Sequence, residues 1–465
     1  MEWIVGVSLA AALLWGLIWC LQGDLLLGAL VVAIIGACLG HPFWNMDLGP
    51  VPVTLDRIAL AGLLVAYGFQ WRLGRTDPKP IGAADRWLVA LLGMLIVSFL
   101  WSDFPPQTLG EGSPLWRLAT GYLIPGLVYW VARQASMEHR TVRRVWTLLS
   151  CLGLYLAITG ILERTQQWQW VWPRHIADPS VGLHFGRARG PMVHAVSFGL
   201  YLTVCWLAAA FWAWNQGRFA RLLFFTCLPL AAAALFFSYT RSVWLGAALA
   251  GLVLMTVGLQ GRLRIVILAA MVALALVAGL SNLDRLIAFQ REGSAAETAI
   301  SVQMRGAFAY VSWKMFLDRP LLGFGFGRFP EAKLPYLADR QTHLPLELIR
   351  DYVHHNTFLS LLTETGLIGL SLYVGLLGAW GWAAWRLWRT ELAAPWAKAQ
   401  GLLMLAVLAV YLPQALFHEM SYLPSDQTLI FFLAGLTIGL ERTVARSLPG
   451  PLPKDCSLGL HSVRF

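Results

Sequence analysis

Charge is what this chain has least of. Only 13% of its residues are Asp, Glu, Lys or Arg, against 58% hydrophobic, too few polar side chains to cover a water-soluble surface. The composition therefore predicts an all-α polytopic membrane protein. Cysteine is scarce too. Of six, Cys20, Cys38, Cys151, Cys205 and Cys227 lie inside apolar runs and Cys456 in the tail, which offers neither a disulfide framework nor a CxxC metal motif. Several short catalytic signatures are missing: a DxD pair on an outer loop to hold a divalent metal on a diphosphate, a P-loop, and G-x-S-x-G. Without them, a phosphate leaving group has arginine to meet its charge, through bidentate hydrogen bonds and a permanent cation.

What is abundant is apolar sequence of spanning length. Runs near 3–21, 25–40, 58–71, 87–101, 118–132, 145–162, 192–214, 222–238, 243–259, 265–281, 366–385, 400–417 and 428–440 predict about twelve or thirteen helices. The first lacks the basic flank and cleavage site of a signal peptide and reads as a retained span. Residues 1–440 form a single membrane domain in this reading, followed by a short cytoplasmic tail at 441–465. The 23 tryptophans suit interfacial belts.

Counting sides backward from the tail places 19 of the 35 Lys/Arg on one set of loops, which the positive-inside rule makes cytoplasmic. Thirteen of the other sixteen lie in two outer loops, four in 163–191 and nine in 283–356, with only Arg57, Arg117 and Arg241 outside them. The second, a large, partly helical loop between the spans near 265–281 and 366–385, also carries acids, so solubility explains many of its charges. Particular arginines call for more.

In SYTRSVWLG, Arg241 stands alone in a tight outer turn, as a snorkelling anchor or an anion hook. In HFGRARGPM, Arg187 and Arg189 precede a Gly-Pro turn where amides and guanidinium forks can converge on one anion, although taken alone a loop-end charge cluster is the better account of them. The stretch from Ser301 has apolar residues at helical spacing and reads as an amphipathic surface helix with Arg305 near its start. It runs into GFGFG, which no strand precedes and which reads as a turn, not a nucleotide loop.

The run HHNTFLSLLTETGLIGL places His354, His355 and Asn356 directly before an apolar helix. Histidine titrates near neutrality, so an imidazole at the membrane surface can take a proton from a sugar hydroxyl. Asp351, four residues earlier, would fix the His355 tautomer if the helix begins early enough, and Asn356 suits a helix cap. A zinc pair from His354 and His355 is disfavoured, since helix neighbours point apart and no third ligand follows at fixed spacing.

SYTRSVWLG, DRPLLGFGFGRF and HNTFLSLLTETGLIGL, in this order, resemble three successive signatures of the O-antigen ligase / O-antigen polymerase superfamily over about residues 180–380. WSDFPPQTL from Trp101 resembles a looser feature of the same proteins. The resemblance implies a membrane glycosyltransferase that moves a glycan from an undecaprenyl-diphosphate carrier to an acceptor hydroxyl on the periplasmic face, without metal, nucleotide sugar or other cofactor. It implies Arg241 and Arg305 on the diphosphate, with Arg187 as a further arginine and Arg189 its neighbour, and His355 on the acceptor hydroxyl. The chain departs from the pattern in having Thr240 before Arg241, where serine is more common, and in the second imidazole of His354. The implied partners are the lipid-linked glycan donor, a glycan or lipid A-core acceptor and the surrounding lipids of a bacterial inner membrane, with no nucleic acid. Ligase and polymerase remain open, differing only in acceptor. A protein-glycosylating relative would carry a larger outer domain at its C-terminus. From another class, a transporter or flippase would place ionisable residues in mid-membrane and show internal repeats.

Overall fold

The computed structural model describes residues 22–46, 52–102, 113–258 and 295–447. The protein is an all-α polytopic membrane protein. The only strands among the described residues, Asn45–Met46 and Val53–Thr54, pair antiparallel with Asn45 opposite Thr54.

Eight described helices are long and apolar enough to cross a membrane: α3 (Ala83–Leu100), α6 (His139–Arg164), α7 (Ala195–Gln216), α8 (Arg218–Phe237), α9 (Arg241–Val253, continued by a π turn to Gly258), α11 (Thr357–Arg389), α12 (Pro395–Phe417) and α13 (Pro424–Ser447). The expected runs 3–21 and 265–281 lie outside the described residues, as does the tail beyond Ser447. Others among the twelve or thirteen fall short for visible reasons. The run at 25–40 is helix α1 (Leu25–Cys38), whose 14 residues rise only about 21 Å at 1.5 Å each. That at 58–71 lies in α2 (Leu55–Arg72), with Asp56 and Arg57 in its first turn and Arg72 at its end. The run at 118–132 is divided among α4 (Pro114–Leu118), a π turn and α5 (Ile124–Gln134).

The core follows from these apolar faces. α13 lies against α5 and α1, α11 against α3 and α12, α6 against α7 and α8, and α9 against α12. At one end of the bundle, ion pairs fasten loops and helix ends: Arg133 to Asp85 at 2.8 Å, Arg386 to Glu441 at 2.7 Å and Arg446 to Asp77 at 3.0 Å. The ends of α6, α8 and α12 and the starts of α7, α9, α11 and α13 meet at the opposite end, the site end.

The large loop has its own small core there. α10 (Ala295–Asp318) buries Ala307, Phe308, Val311 and Met315 along one face, against Phe329, Leu337, Leu346 and Ile349. This is the amphipathic pattern read from the sequence, in a helix that begins before Ser301. GFGFG is a turn, and it enters a break in α11. Gly366 holds φ 65° and ψ −165°, a conformation open essentially to glycine alone. The break leaves carbonyls that the turn satisfies, with the Phe324 amide donating to Thr363 O at 2.9 Å and the Gly325 amide to Glu364 O at 2.8 Å. In return the Leu367 amide donates to Pro320 O at 2.8 Å. The loop is thereby fixed to the short first segment of α11, the one that follows His355.

Candidate active site

The two adjacent histidines have opposite environments. His354 is 2% exposed, its ring 3.8 Å from that of Phe329 and 5.6 Å from that of Phe308. Its Nε2 meets Ser312 Oγ at 3.2 Å and Thr363 Oγ1 at 3.4 Å. Burial, then Arg117, the neighbouring His355 and Lys333, hold it well below the usual histidine range. It is a neutral ring in the core of the loop. Lys333 fastens the same region from beneath, donating to Ile349 O at 2.6 Å and to Tyr352 O, with burial pushing its ammonium down to about 8.

His355 presents surface to solvent while protein closes around its other sides. Phe308 stands edge-on at 5.4 Å and Tyr352 lies 6.1 Å away. Burial, then Arg305, lower its basicity, and Glu419 opposes them. At neutral pH it is an accessible free base, the form needed to accept a proton. Of the two, His355 is the one a substrate can reach.

The expected Asp351 contact does not form. α11 starts at Thr357, after His355, so the two residues do not share a helical face. Asp351 is exposed, and its charge acts on Lys333. Asn356 is a cap as anticipated: its Oδ1 accepts from the Leu359 amide at 2.9 Å, while its Nδ2 donates to Leu416 O at 2.8 Å. Thr357 continues the seam, donating to His418 O at 3.0 Å and accepting from the Met420 amide at 2.9 Å.

The α12–α13 turn thus belongs to the site, although its His418 and Glu419 were not singled out in the sequence. The available signal was an adjacent His-Glu pair in a short turn between two apolar runs. Ser242 donates to Gln414 Oε1 at 2.9 Å and meets His418 Nε2 at 3.2 Å. Burial, followed by His194, His355, Arg305 and His184, holds His418 well below the usual range. Arg241, exposed at the first position of α9, directly precedes Ser242. Arg305, exposed on α10 one turn before Phe308, has its guanidinium carbon 5.2 Å from the Phe417 ring centre. Arg241, Arg305 and His355 are therefore brought together around one turn, from three segments far apart in sequence.

Arg187 and Arg189 part company. Arg187 is half-buried in a turn that runs back to His184, and the next amide, that of Ala188, donates to Phe237 O at 2.9 Å, just before the Arg241 turn. The His184 ring lies 5.4 Å from that of His194, which burial pushes down to about 4. Arg189 is 1% exposed and its fork is occupied: it donates to Val181 O at 2.6 Å, Asp178 O at 2.7 Å and Ile176 O at 3.0 Å. Glu163 holds its backbone amide and that of Gly190, at 2.9 and 2.7 Å. Arg189 is a strut of the 163–191 loop.

Arg117, which drew no role in the sequence, is the hub beneath the site. At 2% exposure it donates to both carboxylate oxygens of Glu364 at 2.8 Å, to Ser360 at 2.8 Å and to Ser421 at 2.6 Å, and lies 3.4 Å from Glu419. Only neighbours from other elements reveal it, because 247 residues separate it from Glu364.

Residues 226–374 match the family model of O-antigen ligase. The matched segment contains Arg241, Arg305 and His355 and ends before His418, so the chain carries an O-antigen ligase-type region running from α8 into α11. No curated protein matches the chain.

Proposed function

We propose that this protein transfers a glycan from an undecaprenyl-diphosphate carrier to an acceptor hydroxyl at the periplasmic face of the inner membrane, as an O-antigen ligase does. The observation that carries the reading is the meeting of an accessible, neutral His355 with Arg241 and Arg305 around the α12–α13 turn. The acceptor hydroxyl, held by His355, attacks the anomeric carbon. The new C–O bond forms as the bond to the diphosphate oxygen breaks, the hydroxyl proton passes to the imidazole, and the departing diphosphate is met by Arg241 and Arg305, with Arg187 beside them. Diphosphate is a good leaving group, so positioning and charge stabilisation suffice. The excess of basic residues on the opposite loops supports an outward site. The same chemistry serves a polymerase that uses a carrier-linked acceptor; the ligase reading follows the matched family. Replacing Arg241 or His355 with alanine should lower transfer at least about a hundredfold, the low end for a positioned acid–base or oxyanion group, with normal protein levels in the membrane. Transfer at the wild-type rate in either variant overturns the proposal.

A further inference from the structure

One aromatic ring beside His355 stays open to solvent. Tyr352 is 48% exposed, and its ring lies 6.1 Å from that of His355, tilted 53° to it. The other rings nearby are covered: Phe308 is 3% exposed in the core of the loop, and Phe417 has the Arg305 guanidinium over it. Among the described residues no cation lies over the Tyr352 ring, and His355 is its only aromatic neighbour. The backbone beneath it is firmly held. The Tyr352 amide donates to Ile349 O at 3.2 Å, and the fully buried Lys333 donates to the carbonyls of both Ile349 and Tyr352. Burying an ammonium is costly, and the segment that this one fixes carries an exposed phenol ring and an exposed imidazole side by side.

We infer that Tyr352 is the platform on which the acceptor sugar stacks, setting the ring that bears the attacking hydroxyl beside His355. The inference rests on the glycan-transfer reading above and divides its site in two. The donor's diphosphate goes to Arg241 and Arg305 at the α12–α13 turn, and the acceptor goes to the loop segment pinned by Lys333. A pyranose has an apolar C–H face that matches a phenol ring and a rim of hydroxyls that must stay hydrated or hydrogen-bonded. A half-open ring at the surface meets both needs without enclosing the sugar. At the observed ring separation, a hydroxyl of a sugar stacked on Tyr352 can come within about 2.6–3.2 Å of the imidazole, the reach a general base requires. Because Lys333 holds the backbone in place beforehand, the acceptor is positioned for attack without reordering of the loop.

The test uses the full chain in lipid nanodiscs and two probes released by mild acid from the producing strain, the core oligosaccharide of its lipid A-core and the oligosaccharide of its lipid-linked glycan. These stand for the ligase and the polymerase acceptor, and binding is followed by saturation-transfer NMR. Wild type should bind at least one. Tyr352→Ala should weaken that binding about tenfold, the worth of one good aromatic contact, while Tyr352→Phe, which keeps the ring face, should bind as wild type does. When the bound probe serves as acceptor in transfer assays, the loss in Tyr352→Ala should appear in the KM for the probe. The KM for the carrier-linked donor and the acid limb set by His355 should not move, as they would if the loop were merely disturbed. Wild-type binding of both probes by Tyr352→Ala overturns the platform, as does an equal loss in Tyr352→Phe, an equal rise in both KM values, or failure of the wild type to bind either probe. Binding that depends on the Tyr352 ring, in a wild-type protein that shows no transfer, supports the platform and removes only the transfer reading.

Discussion

Replacing Arg117 with methionine keeps much of the side-chain volume and removes the charge that joins three elements. It strands two carboxylates, Glu364 at 1% exposure and Glu419 at 4%. Removing one partner of a buried ion pair costs about 3–5 kcal/mol. Protonation sets the ceiling: a glutamate with an ordinary pKa near 4.3 takes a proton at pH 7 for about 3.7 kcal/mol, so Glu364 escapes any larger penalty that way. Glu419 keeps the Ser421 hydroxyl at 2.6 Å and adds less, for a total of about 4–6 kcal/mol. The sign with pH is definite. At pH 7 the variant's folded state holds a proton that its unfolded state lacks, so its deficit shrinks as pH falls, by about 1.4 kcal/mol per unit for each protonated carboxylate. Denaturant titration in detergent, read by tryptophan fluorescence at pH 7 and pH 5.5, measures both effects. The double variant Arg117→Met with Glu364→Gln, which removes the stranded charge, should regain at least about half the loss, since neutral replacement of a buried pair is often tolerated. A single variant within about 1 kcal/mol of wild type, or a double variant no more stable than the single, refutes the ion pair as the source.

Two further outcomes follow from the same geometry. Transfer should rise with pH through the His355 pKa, which burial and Arg305 hold below the ordinary 6.5, and be level near neutrality. In the residual activity of Arg305→Gln, loss of the positive charge raises that pKa and moves the acid limb to higher pH; Glu419→Gln moves it lower, and movement of both limbs in one direction contradicts the assignment of charges. Gly366→Ala would place a Cβ 2.2 Å from Leu321 O in a conformation that only glycine adopts freely. Strain of about 1–3 kcal/mol before the clash should lower the unfolding temperature and dislodge the GFGFG turn, and a variant as stable as wild type would show that the break in α11 is not fixed by that turn.

The polytopic all-α class was legible in the sequence because transfer of apolar side chains into lipid depends on composition and run length, both one-dimensional quantities. So was the alternation of spans that collects the segments of His355, Arg241 and Arg305 at one end of the bundle. Asn356 was legible as a cap because capping acts over three residues. Tertiary structure decided the rest. Which imidazole faces outward depends on where α11 begins and on Phe308 and Phe329, residues distant in sequence that enclose His354. Arg187 and Arg189 look alike along the chain, and only the carbonyls of Ile176, Asp178 and Val181, gathered by the folded loop, make one of them a strut. Arg117 and the His418–Glu419 turn carried no motif, because what makes them part of the site is a convergence of buried charges and hydrogen bonds that exists only once α4, α11 and α12 have packed.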